Sequence, residues 1–126
     1  MKNPENLKYS KSHEWFKELT ETSGQVGLTF FAQEELGDIV YLTLPEEGDE
    51  VAQGDVVCDI ESVKAVSDIH SPVSGTITKV NEALLDSPEL VNEAPFDTWL
   101  FEIEEITAKD DLLNAEEYTK FVEEEA

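Results

Sequence analysis

Val56-Val57-Cys58-Asp59-Ile60-Glu61-Ser62-Val63-Lys64-Ala65-Val66-Ser67-Asp68-Ile69-His70 is the stretch whose reading decides the fold. Val56–Glu61 and Ala65–His70 are rich in β-branched residues and read as strands. Only Ser62-Val63-Lys64 lies between them, which is short enough for a hairpin turn and puts Lys64 at or beside its tip. Cys58 falls in the apolar alternation of the first strand and reads as a small buried thiol. It is the only cysteine, so it makes no internal disulfide. A redox or nucleophilic role would need a nearby base, and no histidine is close to it in the chain.

Outward from the hairpin the same grammar repeats. Ser23-Gly24, Leu36-Gly37-Asp38, Pro45-Glu46-Glu47-Gly48-Asp49, Gln53-Gly54-Asp55, Ser71-Pro72 and Ser74-Gly75 are turn signals. Between them lie further strand-like runs: His13–Leu19, Gln25–Thr29, Asp38–Leu44, Thr76–Val80 and Trp99–Ile106. Short strands at this spacing predict a mainly β sandwich or barrel, and connections too short for crossover helices predict antiparallel pairing. Two helical pieces are expected. One is a brief turn near residues 30–36, stopped by Gly37. The other is a C-terminal helix at about 112–124, where Asn114 can cap and Tyr118, Phe121 and Val122 share one face. The 126 residues have room for one domain, expected over 1–126, with the hairpin at about 55–70.

Charge narrows the partners. The chain has 30 acidic residues against eight lysines, with a net charge of −22. Nucleic acids and anionic membranes are bound mainly through Lys/Arg contacts, so neither is expected as a partner. Basic docking patches on other proteins suit the field of this chain better. No apolar run approaches the roughly 18 residues of a membrane span. The first ten residues have no apolar stretch of the secretory kind, and a cytoplasmic location is expected, a mature mitochondrial form being the alternative.

From Glu18 to Thr78 the only Lys or Arg is Lys64, with twelve acids before it and Asp68 after it. A tip lysine is open to a modifying enzyme from several sides, and a hairpin is a stiff base for a flexible arm. Tethering a group there makes successive encounters effectively intramolecular, at a local concentration around mM. An exposed ion pair of Lys64 with Glu61 is worth only ~0–1 kcal/mol, so acylation would cost the fold little. No nucleophile–base pair, metal-ligand cluster or phosphate-binding glycine loop points to an enzyme, and none of the residues reads as catalytic or metal-ligating.

Glu61-Ser62-Val63-Lys64-Ala65-Val66-Ser67-Asp68-Ile69, followed by Ser71-Pro72-Val73-Ser74-Gly75, resembles the lipoylation motif of the glycine cleavage system H proteins. Leu7-Lys8-Tyr9-Ser10 with His13-Glu14-Trp15, Val26-Gly27-Leu28-Thr29 with Ala32-Gln33 and Leu36-Gly37-Asp38, and Ser87-Pro88-Glu89-Leu90-Val91-Asn92 extend the likeness. It covers nearly the whole chain. Phe30-Phe31 stands where that family often has polar residues, and Ala94–Trp99 lacks the glycine common before the tryptophan.

The resemblance implies a hybrid barrel-sandwich of the lipoyl/biotinyl-domain type. It implies lipoate in amide linkage on Lys64, flanked by the motif residues Glu61, Ser62, Val63 and Ala65. The carrier would shuttle an aminomethyl intermediate from glycine decarboxylase (P protein) to aminomethyltransferase (T protein), with reoxidation by dihydrolipoyl dehydrogenase (L protein). Lipoate-attaching enzymes would be further partners. Ser12, Glu14 and Asp68 match the cleft in which the family shelters the loaded arm, Glu14 as a carboxylate for the intermediate's ammonium. Biotin carriers usually flank their lysine with methionines, whereas Val63 and Ala65 stand here. An H-like protein that only relays lipoyl groups would share the motif.

Overall fold

The computed structural model describes residues 2–109 and 112–125. Residues 1, 110, 111 and 126, which the one-domain expectation includes, lie outside the described residues. In chain order the strands are β1 (Lys8–Tyr9), β2 (Glu14–Thr20), β3 (Ser23–Leu28), β4 (Ile39–Leu42), β5 (Glu50–Val51), β6 (Val56–Ser62), β7 (Val66–His70), β8 (Ser74–Val80) and β9 (Trp99–Ala108). The helices are α1 (Phe30–Leu36), α2 (Ala83–Asp86), α3 (Leu90–Glu93) and α4 (Ala115–Glu125).

Two sheets form, one ordered β1-β2-β3-β9-β8-β5 and the other β4-β6-β7, and every pairing is antiparallel. The mainly β architecture with a short helix over 30–36 and a C-terminal helix is therefore as expected. Two-residue strands β1 and β5 and the single turns α2 and α3 carry too little periodicity to show in the sequence.

The main core lies between the sheets, with Phe16, Val26, Leu42, Ile60, Ile69, Ile77, Phe101 and Ile103 among its buried members. A second cluster of Leu7, Tyr9, Trp15, Ala115 and Tyr118 seals α4 against the first sheet. Trp15 and Phe16 are consecutive, and a strand sends consecutive side chains to opposite faces. One therefore enters each cluster, and β2 is covered on both sides where it begins. Trp15 lies against Gly27 where any Cβ would clash, and its indole N–H donates to Pro95 O at 2.9 Å. Tyr9 stacks on Tyr118, with ring centroids 4.7 Å apart.

α4 starts later than the sequence suggests. Leu113 pairs its backbone with Tyr9, accepting at 2.8 Å and donating at 2.7 Å, which keeps it extended. Asn114 then caps the helix reciprocally: its Oδ1 accepts from Glu117 N at 2.8 Å, and Glu117 Oε1 accepts from Asn114 N at 3.0 Å.

A lysine-tipped hairpin beside an acidic cleft

The hairpin turn is built by one serine. Ser62 Oγ accepts from the backbone N–H groups of Lys64 and Ala65, both at 3.1 Å, and Ser62 N donates to Ala65 O at 2.8 Å. A local side-chain-to-backbone turn of this kind closes the chain without a glycine. Ser62 is buried, while Val63, Lys64 and Ala65 are exposed. Glu61 faces solvent on β6, opposite Val66 on β7 and Tyr41 on β4. Among the described residues Lys64 Nζ has no ion-pair partner.

The tip is tied to the loop after α1. Val63 N donates to Asp38 O at 3.0 Å. Asn92 fixes that loop from α3: its Nδ2 donates to Gly37 O at 2.8 Å and to Gln33 Oε1 at 2.9 Å, and its Oδ1 accepts from Ile39 N at 2.9 Å. Gly37 has φ +79°, and a Cβ there would stand 3.0 Å from Lys64 Cε. Both facts require glycine, and the lysine stem crosses the protein over the gap it leaves.

Beyond Gly37 a cleft of about 300 Å³ opens between α1, β7 and the end of α4. Its walls include Leu28, Phe31, Ala32, Leu36, Ile60 and Ile69, with Ser12, His13, Ser67, Asp68, Glu35 and Glu125 as the polar lining. An apolar chain ending in a cationic head matches this lining. Of the sequence candidates, Ser12 and Asp68 line the cleft; Lys64 does not, and its stem lies over Gly37, next in the chain to the lining residue Leu36.

Glu14 does not line it. The residue is fully buried on the Phe16 side of β2. Its Oε1 accepts from Ser10 Oγ at 2.5 Å and Ser12 Oγ at 2.6 Å, and its Oε2 accepts from His70 N at 3.1 Å. His70 Nδ1 lies 3.9 Å from Oε2, too far for a hydrogen bond, and has no other partner among the described residues. Burial raises the Glu14 carboxyl above its usual range, and the hydrogen bonds from Ser10, Ser12 and His70 oppose that rise. In this geometry Glu14 holds the Ser12 hydroxyl at the cleft edge and the end of β7 in place.

His13 lies in the left-handed region at φ 74°. Its Nδ1 is 2.8 Å from Tyr118 Oη, its Nε2 3.0 Å from Glu125, and its ring sits 4.8 Å from that of Phe31. Burial lowers its pKa, with Glu125 pulling the other way. A neutral ring fits every bond: Nε2–H donates to Glu125, the Tyr118 hydroxyl donates to Nδ1, and Thr29 Oγ1, 2.8 Å away, donates to Tyr118. Cys58 is buried as expected, and burial pushes its thiol up to about 12.

Phe31, Glu35 and Glu125 were not among the sequence candidates. Phe31, Ala32, Glu35 and Leu36 recur at helical spacing, so one face of α1 was readable as a unit. Glu125 enters the cleft through the packing of α4, for which the sequence carries no local signal. No described helix is long and apolar enough to cross a membrane.

The sequence model of the family described as "Glycine cleavage H-protein" matches residues 7–125. The chain belongs to the glycine cleavage H-protein family. It is 49% identical to the glycine cleavage system H protein of Lachnoclostridium phytofermentans, over 99% of this chain and 98% of that protein. It is 50% identical to a probable glycine cleavage system H protein of Thermococcus gammatolerans, over 94% of this chain and 91% of the other. The crystal structure of a glycine cleavage system H protein from Mycobacterium marinum superposes with a TM-score of 0.87 at 37% identity, covering 94% of this chain and 97% of that one. H proteins are lipoyl carriers, so membership makes this chain a carrier component of the glycine cleavage system rather than a catalytic enzyme.

Proposed function

We propose that Lys64 carries lipoate in amide linkage and that residues 1–126 act as one carrier domain. The observation that supports this best is that the Lys64 stem lies over Gly37, whose chain neighbour Leu36 lines the cleft. The lysine is exposed for modification, its stem crosses where a side chain is missing, and the cleft is apolar with carboxylates on its walls. These residues fit the group. When bound, lipoate supplies a dithiolane that is reduced on taking up an aminomethyl group and must be reoxidised afterwards.

The protein's own part is to bind, orient and shield. Leu28, Ile60 and Ile69 give the arm an apolar bed. Asp68 and the Ser12 hydroxyl receive a cationic head, Ser12 being held by Glu14. Glu14 acts from behind the wall instead of as the direct carboxylate partner that the family likeness suggests. Seated there, the loaded head is kept from bulk water between partners.

In this reading the chain takes an aminomethyl group from glycine decarboxylase, delivers it to aminomethyltransferase, and is reoxidised by dihydrolipoyl dehydrogenase. A lipoate-attaching enzyme is needed first, and the cytoplasm is the expected compartment. The test is glycine–bicarbonate exchange with a glycine decarboxylase. Lipoylated chain supports exchange and the Lys64→Arg variant does not. A lipoylated chain that fails to support exchange would leave only a relay of lipoyl groups.

A further inference from the structure

Behind the wall of the cleft one buried polar atom is left over. His70 Nδ1 is shut off from solvent and has no hydrogen-bond partner among the described residues. It faces Glu14 Oε2 across 3.9 Å, while 35% of the His70 side chain remains exposed. Oε2 accepts from His70 N and keeps a second lone pair. Two buried lone pairs facing each other repel, and leaving both unmet is costly, so a proton belongs between them. On either atom it would draw the pair about 1 Å closer, into hydrogen-bond range. Cys58 on β6 and Tyr118 on α4 also feel the charge of Glu14, but burial pushes both up to about 12. Neither exchanges a proton near neutral pH, and His70 is the group that can.

The other oxygen of Glu14 is committed differently. Ser10 Oγ accepts from Glu14 N at 3.0 Å, so its hydrogen is left for Oε1, and Ser12 Oγ spends its hydrogen on Oε1 as well. A hydroxyl has one hydrogen and two lone pairs. Ser12 lines the cleft and therefore offers it lone pairs only. That holds while Oε1 carries no proton. A proton on Oε1 would be donated to a serine, and Ser12 could then turn its own hydrogen into the cleft.

We propose that His70 is a positioning residue for the cleft: it shares one proton with Glu14 on the Oε2 side, which keeps Oε1 an acceptor and makes Ser12 an acceptor toward the arm. This rests on the reading that Lys64 carries an arm whose loaded head is cationic. An ammonium has donors and no acceptor, so a wall that presents lone pairs selects it over an uncharged head. His70 acts through Glu14 and Ser12 and does not itself line the cleft.

The experiment is NMR on the full 15N-labelled chain, first unmodified and then lipoylated. In the unmodified parent the His70 Nδ1 shift lies between the protonated and the bare limit, and Glu14→Gln moves it to that of a plain acceptor. On the lipoylated chain, the amide shifts of residues 67–69 report seating of the arm with an aminomethyl-loaded head and with an uncharged dithiol head. The parent seats the loaded head about tenfold or more in preference to the dithiol, and His70→Phe, which keeps a ring but no proton holder, lowers that preference about fivefold. His70→Asn places an amide donor near the position of Nδ1 and restores the preference to within about twofold of the parent. Melting temperatures show that each variant folds. An Nδ1 shift indifferent to Glu14→Gln, or an undiminished preference in His70→Phe, overturns the role of His70 and leaves the functional reading standing. Equal weakening of both heads in His70→Phe marks a structural role and also overturns it. A lipoylated parent whose loaded arm does not seat overturns the functional reading along with the proposal.

Discussion

Lys64 and Glu14 are two ionisable residues among the candidates for the site, and the fold treats them in opposite ways. Lys64 is exposed on a turn and has no ion-pair partner among the described residues. Glu14 is fully buried with three donors on its two oxygens. On the proposed reading Lys64 is an attachment point, and such a point gains from freedom because every partner must reach it. A receiving cleft gains from fixed geometry, because a wall that drifts by an ångström no longer shields its guest. The small sheet therefore carries the reach and the start of β2 carries the rigidity, while Asn92 fixes the loop at Gly37 to which the hairpin tip is bonded.

Disturbing the fixed side should have the larger effect on the fold. Glu14→Gln keeps an acceptor for the serines but turns an amide donor toward His70 N–H, leaving one buried donor unmet. The expected loss is about 1–3 kcal/mol of stability, read by denaturant titration. The parent chain should also show a pH signature. A raised folded-state pKa means that the native protein holds the Glu14 proton longer than the unfolded chain does. Its contribution is fully present below the ordinary Glu pKa and is lost as pH rises through the folded value. The slope of stability against pH across that window should flatten in Glu14→Gln; an unchanged slope would show that Glu14 is not the group responsible.

Gly37→Ala sharpens the comparison at the boundary between the two regions. A side chain at φ +79°, 3.0 Å from Lys64 Cε, is strained and crowds the lysine stem. About 1–3 kcal/mol of destabilisation is expected. The arm of a loaded variant should also be sheltered less, seen as faster loss of the aminomethyl load in water. Equal lifetimes would break the proposed route over Gly37. Tyr118→Phe, smallest of the three, removes one hydroxyl between His13 and Thr29 and should cost about 0.5–1.5 kcal/mol. Lipoylation of Lys64 should be unchanged, because the tip takes no support from that chain of bonds.

Legibility in the sequence follows the same division. The hairpin, its tip lysine and α1 were readable because short-range signals fix them: β-branched runs, three connecting residues, and Gly37 as a helix stop. Ser12 and Asp68 came from a family likeness, and the structure places both on the cleft. Glu14 was placed by the same likeness, yet its position depends on β2 being covered on both faces, which alternation in one strand does not reveal. Asn92 has nothing local to mark it, since its three bonds reach residues more than fifty positions away. Glu125 joins the cleft only once the aromatic seam has docked α4. Long-range packing is the part that the sequence withheld.

The most direct test is intact mass and peptide mapping of the protein isolated from its native host. The account predicts a mass gain of one lipoyl amide, located on Lys64 and on none of the other seven lysines. A native protein with Lys64 unmodified, or with lipoate on another lysine, would contradict it.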